Sequence, residues 1–308
     1  MAFNFLHITD FTTEEILETF EIARKVKAKV KNREEFVPFK GQTLAMIFAK
    51  PSARTRVSFE TGMTQLGGHA IFLGPNDIGI GKREAVKDIA RVISRYDDFI
   101  MARLFSHDHI VELAEHSRVP VVNGLTDYNH PCQIMADIFT ILEHRGHLRD
   151  LKVVYIGDGN NITNSWINLA ARLPMHLVIS GPEGYEADEA TLENAKKANL
   201  STIEYIRDPK EAVKDADVVY TDVWASMGQE DEAAERKKVF APYQVNKELL
   251  SYAKPDVYAM HCLPAHRGDE ITSEVVDGPN SIMFDEAENR MHIQKAIMLK
   301  LANVTVQE

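Results

Sequence analysis

Short apolar, β-prone runs alternate along this chain with amphipathic helical stretches, and near residue 150 the alternation begins again. "TLAMIFA" leads into a helix from about Ser52 to Gly67-Gly68, and "HAIFLG" into "REAVKDIARVISRY". "DFIMARLF" and "VPVVNGL" follow as strands, separated by "SHDHIVELAEHS". After "HPCQIMADIFTILEHRG", a helix long enough to join two lobes, the pattern resumes with "LKVVYIGDG", "NITNSWINLAARL", "HLVISG" and "TLENAKKANL". "DVVYTDVW", "VYAMHCLP" and "SIMFDE" read as later strands, and "ENRMHIQKAIMLKLANV" as a closing helix. That alternation of strand and helix implies a parallel sheet with helices on both faces, because parallel neighbours need a crossover connection. The fold class expected is α/β: two doubly wound parallel-sheet lobes joined by bridging helices. The first lobe is placed at 1–135 and completed by the C-terminal helix 288–308; an interdomain helix spans 136–150, and the second lobe 151–287. In such folds ligands sit beyond the carboxyl ends of the strands, so the cleft between lobes is the default site.

Charge and cysteine usage narrow the classes. A formal net charge of −11 argues against nucleic-acid or anionic-membrane partners. No window reaches the roughly 18 apolar residues of a membrane span. Two cysteines in 308 residues do not make a disulfide scaffold. The start, "MAFNFLHITDFTTEEI", lacks the basic and apolar regions of a signal peptide and is too acidic for a transit peptide. A soluble cytoplasmic protein is expected, and any anion site in it must be a local positive pocket.

"KPSARTRVSFE" supplies such a pocket where a strand becomes a helix. Pro51 presets the turn and Ser52 is a candidate N-cap. The free N–H groups of a first helical turn attract anions, and Arg54, Ser52 and Thr55 add donors. Arg54 and Arg56 stand roughly 200° apart around a helix. Arg54 is therefore assigned to the anion and Arg56 to an ion pair.

"PSARTRVSFE" resembles the Ser-Thr-Arg-Thr-Arg signature of the aspartate/ornithine carbamoyltransferase family, and "HPCQIMAD" resembles that family's His-Pro-x-x-Gln element. "GDGNNITNSW", "DVWASMGQE", "HCLPAHRGDE" and "FDEAENRMH" resemble its ornithine-using branch. The likeness is ordered from about residue 1 to 303. It implies transfer of the carbamoyl group from carbamoyl phosphate to the δ-amine of L-ornithine, giving citrulline and phosphate without a cofactor or metal. It implies carbamoyl-phosphate contacts from Ser52, Ala53, Arg54, Thr55, Arg103, His130, Gln133, Cys262, Leu263 and Arg290. Arg103, His130 and Thr55 would polarise the carbonyl oxygen, with Cys262 also counted as catalytic. Ornithine would be held by Asn161, Asp222, Ser226 and Met227, on a loop that closes over the site. A homotrimer, or a multiple of trimers, is implied as well, with Lys82 or Arg83 reaching a neighbouring subunit. The chain departs from the pattern at Ala53, where the family carries Thr. Ala53 keeps the backbone N–H that a phosphate would use but loses a hydroxyl, and only where that hydroxyl bonds the phosphate does its loss weaken binding, by about 1 kcal/mol.

Rival readings are weaker. Gly157-x-Gly159 after a strand suggests a dinucleotide, but Ile162 stands where the third Gly belongs and no ribose-binding acid follows. His261, Cys262 and His266 do not share a zinc spacing. His107-x-His109 reads most simply as solvent-facing. Putrescine or an N-acylated ornithine remains the alternative amine, opposed by Asp222, because neither offers a free α-amino group.

Overall fold

The computed structural model describes residues 4–226 and 228–307. The chain divides into two units, Met1–Phe139 with Asn289–Glu308, and Thr140–Glu288.

In the first unit the order is α1 (Thr13–Lys31), β1 (Thr43–Phe48), α2 (Ala53–Gln65), β2 (His69–Leu73), α3 (Pro75–Ile78), α4 (Val86–Ile93), β3 (Phe99–Arg103), α5 (His107–His116) and β4 (Val121–Leu125). The unit ends within α6 (Pro131–Arg145). Thr12 caps α1, its hydroxyl accepting the Glu15 N–H while Glu15 reaches back to the Thr12 N–H. All four strands are parallel, in the order β2-β1-β3-β4. β3 is buried at all five positions and β1 at five of six, the mark of a parallel sheet covered on both faces. Ala45, Ile47, Ile100 and Ala102 form one core with Val86, Ile89, Ile110 and Leu113 of α4 and α5. The end of the chain belongs here too: Lys295 is fully buried and its Nζ donates to Gln65 Oε1 at 2.7 Å.

The second unit runs β5 (Lys152–Ile156), α7 (Asn161–Ala170), β6 (His176–Ser180), α8 (Glu189–Ala198), β7 (Thr202–Tyr205), α9 (Pro209–Ala212) and β8 (Val218–Thr221). Then come α10 (Ala233–Phe240), α11 (Lys247–Leu250), β9 (Tyr258–His261), α12 (Ser273–Val276) and the start of α13 (Met283–Leu301). Its parallel sheet has the order β7-β6-β5-β8-β9. Val154, Ile156, Val178, Val219 and Ala259 meet Ala212, Leu249 and Val275 in the core.

Two differences from the sequence reading stand out. "SIMFDE" is not a strand: Ser281 makes a single bridge to Ala259, and Met283 already opens α13. Asp285 and Glu286 favour that first turn, where the helix dipole is positive. β7 was not anticipated; "TIEY" is a four-residue edge strand, buried only at Ile203, and too short to stand out by pattern.

Both sheets reverse strand order at an inner strand, between β1 and β3 in the first unit and between β5 and β8 in the second. The crevice beyond the carboxyl ends at such a point is where open α/β sheets bind ligands.

Candidate active site

In the first unit Phe48 pairs with Arg103, so the β1–α2 turn and the end of β3 are neighbours. Ser52 caps α2 with its oxygen accepting the Thr55 N–H at 3.2 Å, and its carbonyl takes the Arg56 N–H at 3.1 Å. Among the described residues the N–H groups of Ala53 and Arg54 have no such acceptor, which leaves them for an anion. Arg54 is exposed beside them. Arg56 instead pairs with Glu60 at 2.9 Å and stacks over Phe72, the structural role the helical geometry assigned to it.

Four further predicted groups converge. Arg290, 5% exposed, donates through Nη2 to the fully buried Thr55 hydroxyl. Arg103 is 6% and His130 4% exposed. Burial, then the charges of Arg290 and Arg103, hold His130 well below the ordinary imidazole range. At neutral pH His130 is therefore an uncharged imidazole with an N–H to donate. Gln133, one turn on, donates through Nε2 to Asp137 Oδ1 at 2.8 Å. Cys132 beside them is buried, its thiol donating to the Asn123 carbonyl at 3.3 Å and its pKa pushed up to about 12. It stays a protonated, inert thiol.

In the second unit Ile156 pairs with Thr221 and Thr221 with His261, which aligns the ends of β5, β8 and β9. Asp222 follows β8 and is 6% exposed; its Oδ2 accepts from Asn160 Nδ2 at 2.8 Å and its Oδ1 from the Cys262 thiol at 3.0 Å. Asn160 also caps α7, its Oδ1 accepting the Ile162 and Thr163 N–H groups at 2.9 and 3.3 Å. Asn161 opens that helix. Leu263 adopts φ +58°, and its N–H is spent on His261 Nδ1 at 2.8 Å, so the carbonyl is the backbone group it has to offer a ligand. The Ser226 carbonyl accepts the Gln229 N–H at 3.0 Å. Met227 lies outside the described residues.

Ligand atoms of Asp222, His261 and Cys262 lie within 4.8 Å of one another, while His266 is not part of that cluster. Each group is already engaged: His261 meets Glu270 through Nε2 at 3.1 Å as well as Leu263 through Nδ1. The arrangement reads as a hydrogen-bonded support for Asp222.

Arg236 was missed. It is 7% exposed, and its Nη1 donates to Asp158 Oδ2 at 2.9 Å and the Trp224 carbonyl at 3.0 Å, while its Nε reaches Glu232. It thereby ties the main chain at Trp224 to the residues just beyond β5. In "EDEAAERKK" it looks like one more charge on a solvated face, and only the i, i+4 spacing from Glu232 hints otherwise. His107 corrects the sequence reading: it is half-buried, with Nε2 3.0 Å from His7 Nε2 and Nδ1 2.9 Å from Thr126 Oγ1.

The glycines after β5 serve packing. A Cβ on Gly159 would stand 2.1 Å from the Glu186 carbonyl carbon and 2.3 Å from the Ala187 nitrogen, so main chain covers the place where a pyrophosphate would approach. Gly159→Ala forces that backbone apart and is expected to lower stability by about 2 kcal/mol. The midpoint of urea unfolding measures it, and an unchanged midpoint would contradict the contact.

Residues 4–143 match the family description "Aspartate/ornithine carbamoyltransferase, carbamoyl-P binding domain", and residues 149–301 match its "Asp/Orn binding domain". The chain is 59% identical over 297 residues to "Ornithine carbamoyltransferase, chloroplastic" of Pisum sativum, covering 96% of this chain and 79% of that one. It superposes with TM-score 0.91 on the ornithine carbamoyltransferase of Pyrococcus furiosus, at 49% identity and with 97% and 96% of the two chains covered. With the anabolic ornithine carbamoyltransferase of Campylobacter jejuni the TM-score is 0.92, at 40% identity and with 97% and 99% coverage.

Proposed function

The chain belongs to the aspartate/ornithine carbamoyltransferase family, and from that premise we infer that it is an enzyme moving the carbamoyl group of carbamoyl phosphate to the δ-amine of L-ornithine, giving L-citrulline and phosphate. The observation that carries the reading is the gathering of Thr55, Arg103, His130 and Arg290, with His130 held neutral by burial and by the charges of the two arginines.

Attack by a neutral amine on the carbonyl carbon builds negative charge on the carbonyl oxygen, then on the departing phosphate. What the reaction needs is aimed donors. Arg103, Thr55 and the neutral His130 donate to the oxygen. Ser52, the free N–H groups of Ala53 and Arg54, the Arg54 guanidinium, Gln133 and Arg290 receive the phosphate, and the departing phosphate takes the amine's proton. The missing hydroxyl at Ala53 leaves this set intact, because the backbone donor is kept.

Asp222, steadied by Asn160 and Cys262, pairs with the α-ammonium of ornithine; Asn161 and Ser226 complete that end, with Met227 assigned there by family likeness. Leu263 offers its carbonyl to the carbamoyl group. A carboxylate here favours a substrate with a free α-amino group over putrescine or an N-acylated ornithine. We extend the reading to a cytoplasmic trimer, or multiple of trimers, acting in arginine biosynthesis. Exposed Val57, Ile71 and Phe105 supply apolar surface for a subunit contact, and no described helix is long and apolar enough to cross a membrane.

Carbon-13 and phosphorus-31 NMR of [13C]carbamoyl phosphate with L-ornithine tests the reaction. One ureido carbon should form per phosphate released. Phosphate release without a ureido carbon would refute transfer to the amine.

A further inference from the structure

We propose that His7 and His107, both neutral and in opposite tautomers, are positioning residues that fix the backbone from which the catalytic His130 projects. The proposal rests on the transferase reading and deepens it. Four hydrogen bonds close a ring in the first unit. Asn129 Nδ2 meets His7 Nδ1 at 3.1 Å, and His7 Nε2 meets His107 Nε2 at 3.0 Å. His107 Nδ1 meets Thr126 Oγ1 at 2.9 Å, and Thr126 Oγ1 donates to Asn129 Oδ1 at 3.2 Å.

One placement of protons serves all four contacts. The Asn129 amide nitrogen only donates, so His7 Nδ1 is bare and its proton sits on Nε2. That proton goes to a bare His107 Nε2, which leaves the His107 proton on Nδ1, aimed at Thr126. Asn129 cannot turn its amide over to escape. Its second Nδ2 hydrogen goes to the Leu6 carbonyl at 3.1 Å, and its Oδ1 also accepts from Asn123 Nδ2 at 2.6 Å. The residue is 1% exposed. Its main chain closes the turn before α6: Thr126 N–H donates to the Asn129 carbonyl at 2.9 Å, and Asn129 N–H to Thr126 Oγ1 at 3.3 Å. His130 is the next residue, so the orientation of Asn129 sets where His130 starts.

A proton added to His7 Nδ1 would face the Asn129 amide hydrogens, and one added to His107 Nε2 would face the His7 N–H. Asp10, beside His7, and Asp108, beside His107, favour protonation, while Tyr128 lies against both rings at 5.6 and 5.0 Å between centroids. Burial outweighs the acids: His7 is lowered, and His107 falls to about 4 through burial and the neighbouring His7. Histidines of an unfolded segment take up protons as pH falls through about 6.5. The ring does not, so the segment loses stability from that pH downward.

Histidine-selective nitrogen-15 NMR of the whole protein reads the tautomers directly. Expected at pH 7.5 are an Nδ1-protonated His107 and an Nε2-protonated His7, with neither titrating near 6.5. In His7→Phe and His107→Phe the His130 signal should move from a single neutral tautomer toward an average. Their kcat should fall about 10-fold with the carbamoyl-phosphate KM within about twofold, and the double variant should be no worse than either single one, because the ring acts as a unit. Identical tautomers, a His107 titrating near 6.5, or an unmoved His130 signal would overturn the proposal. These spectra need no turnover, so an inactive wild-type enzyme would refute the transferase reading and leave the ring still decided.

Discussion

His130→Ala is expected to lower kcat for citrulline formation about 10³-fold, equivalent to about 4 kcal/mol of transition-state stabilisation. His130 is buried and held uncharged by that burial and by the charges of Arg290 and Arg103, so its contribution is a donated hydrogen bond that strengthens as the carbonyl oxygen gains charge. A group acting in that way changes kcat far more than KM. Carbamoyl-phosphate KM should therefore move less than about threefold, since Ser52, Arg54 and Arg290 still hold the phosphate. Steady-state kinetics at saturating ornithine, with circular dichroism to confirm the fold, decides it. A loss below about tenfold would remove His130 from the chemistry.

Asp222→Asn is expected to cost about 10³-fold in kcat/KM for ornithine, chiefly through KM, because it removes one member of a largely desolvated charge pair. The replacement is nearly isosteric, so the packing beside Asn160 and Cys262 changes little. Each of those donors now competes with an amide that donates as well as accepts. Carbamoyl-phosphate KM should stay within about twofold. The preference for ornithine over putrescine, which has no α-amino group, should shrink in the same proportion. Unaltered discrimination would mean that Asp222 does not read the α-ammonium.

Much of this fold was legible in the chain itself. "TLAMIFA", "DFIMARLF" and "LKVVYIGDG" announced themselves as parallel strands because burial on both faces leaves no polar alternation to confuse the pattern. Ser52 and Thr12 were recognisable as caps from residue type and position. The site residues were visible mainly through family likeness, since nothing local distinguishes Arg103 at the end of a strand from any buried arginine. Pairings between distant segments were hidden. Arg236 to Asp158 spans 78 positions, and His7 to His107 spans 100. A histidine at a helix start gives no local hint that it will face a partner from the other end of the domain. "SIMFDE" misled because its apolar run is short enough to suit either a strand or a helix start.

Initial rates of ureido-product formation from carbamoyl phosphate, with L-ornithine, putrescine, N-acetylornithine and L-aspartate run side by side, test the central claim most directly. The account predicts a dominant rate with L-ornithine. A higher rate with putrescine or N-acetylornithine would contradict the role given to Asp222, and no rate with any of the four would contradict the transferase itself.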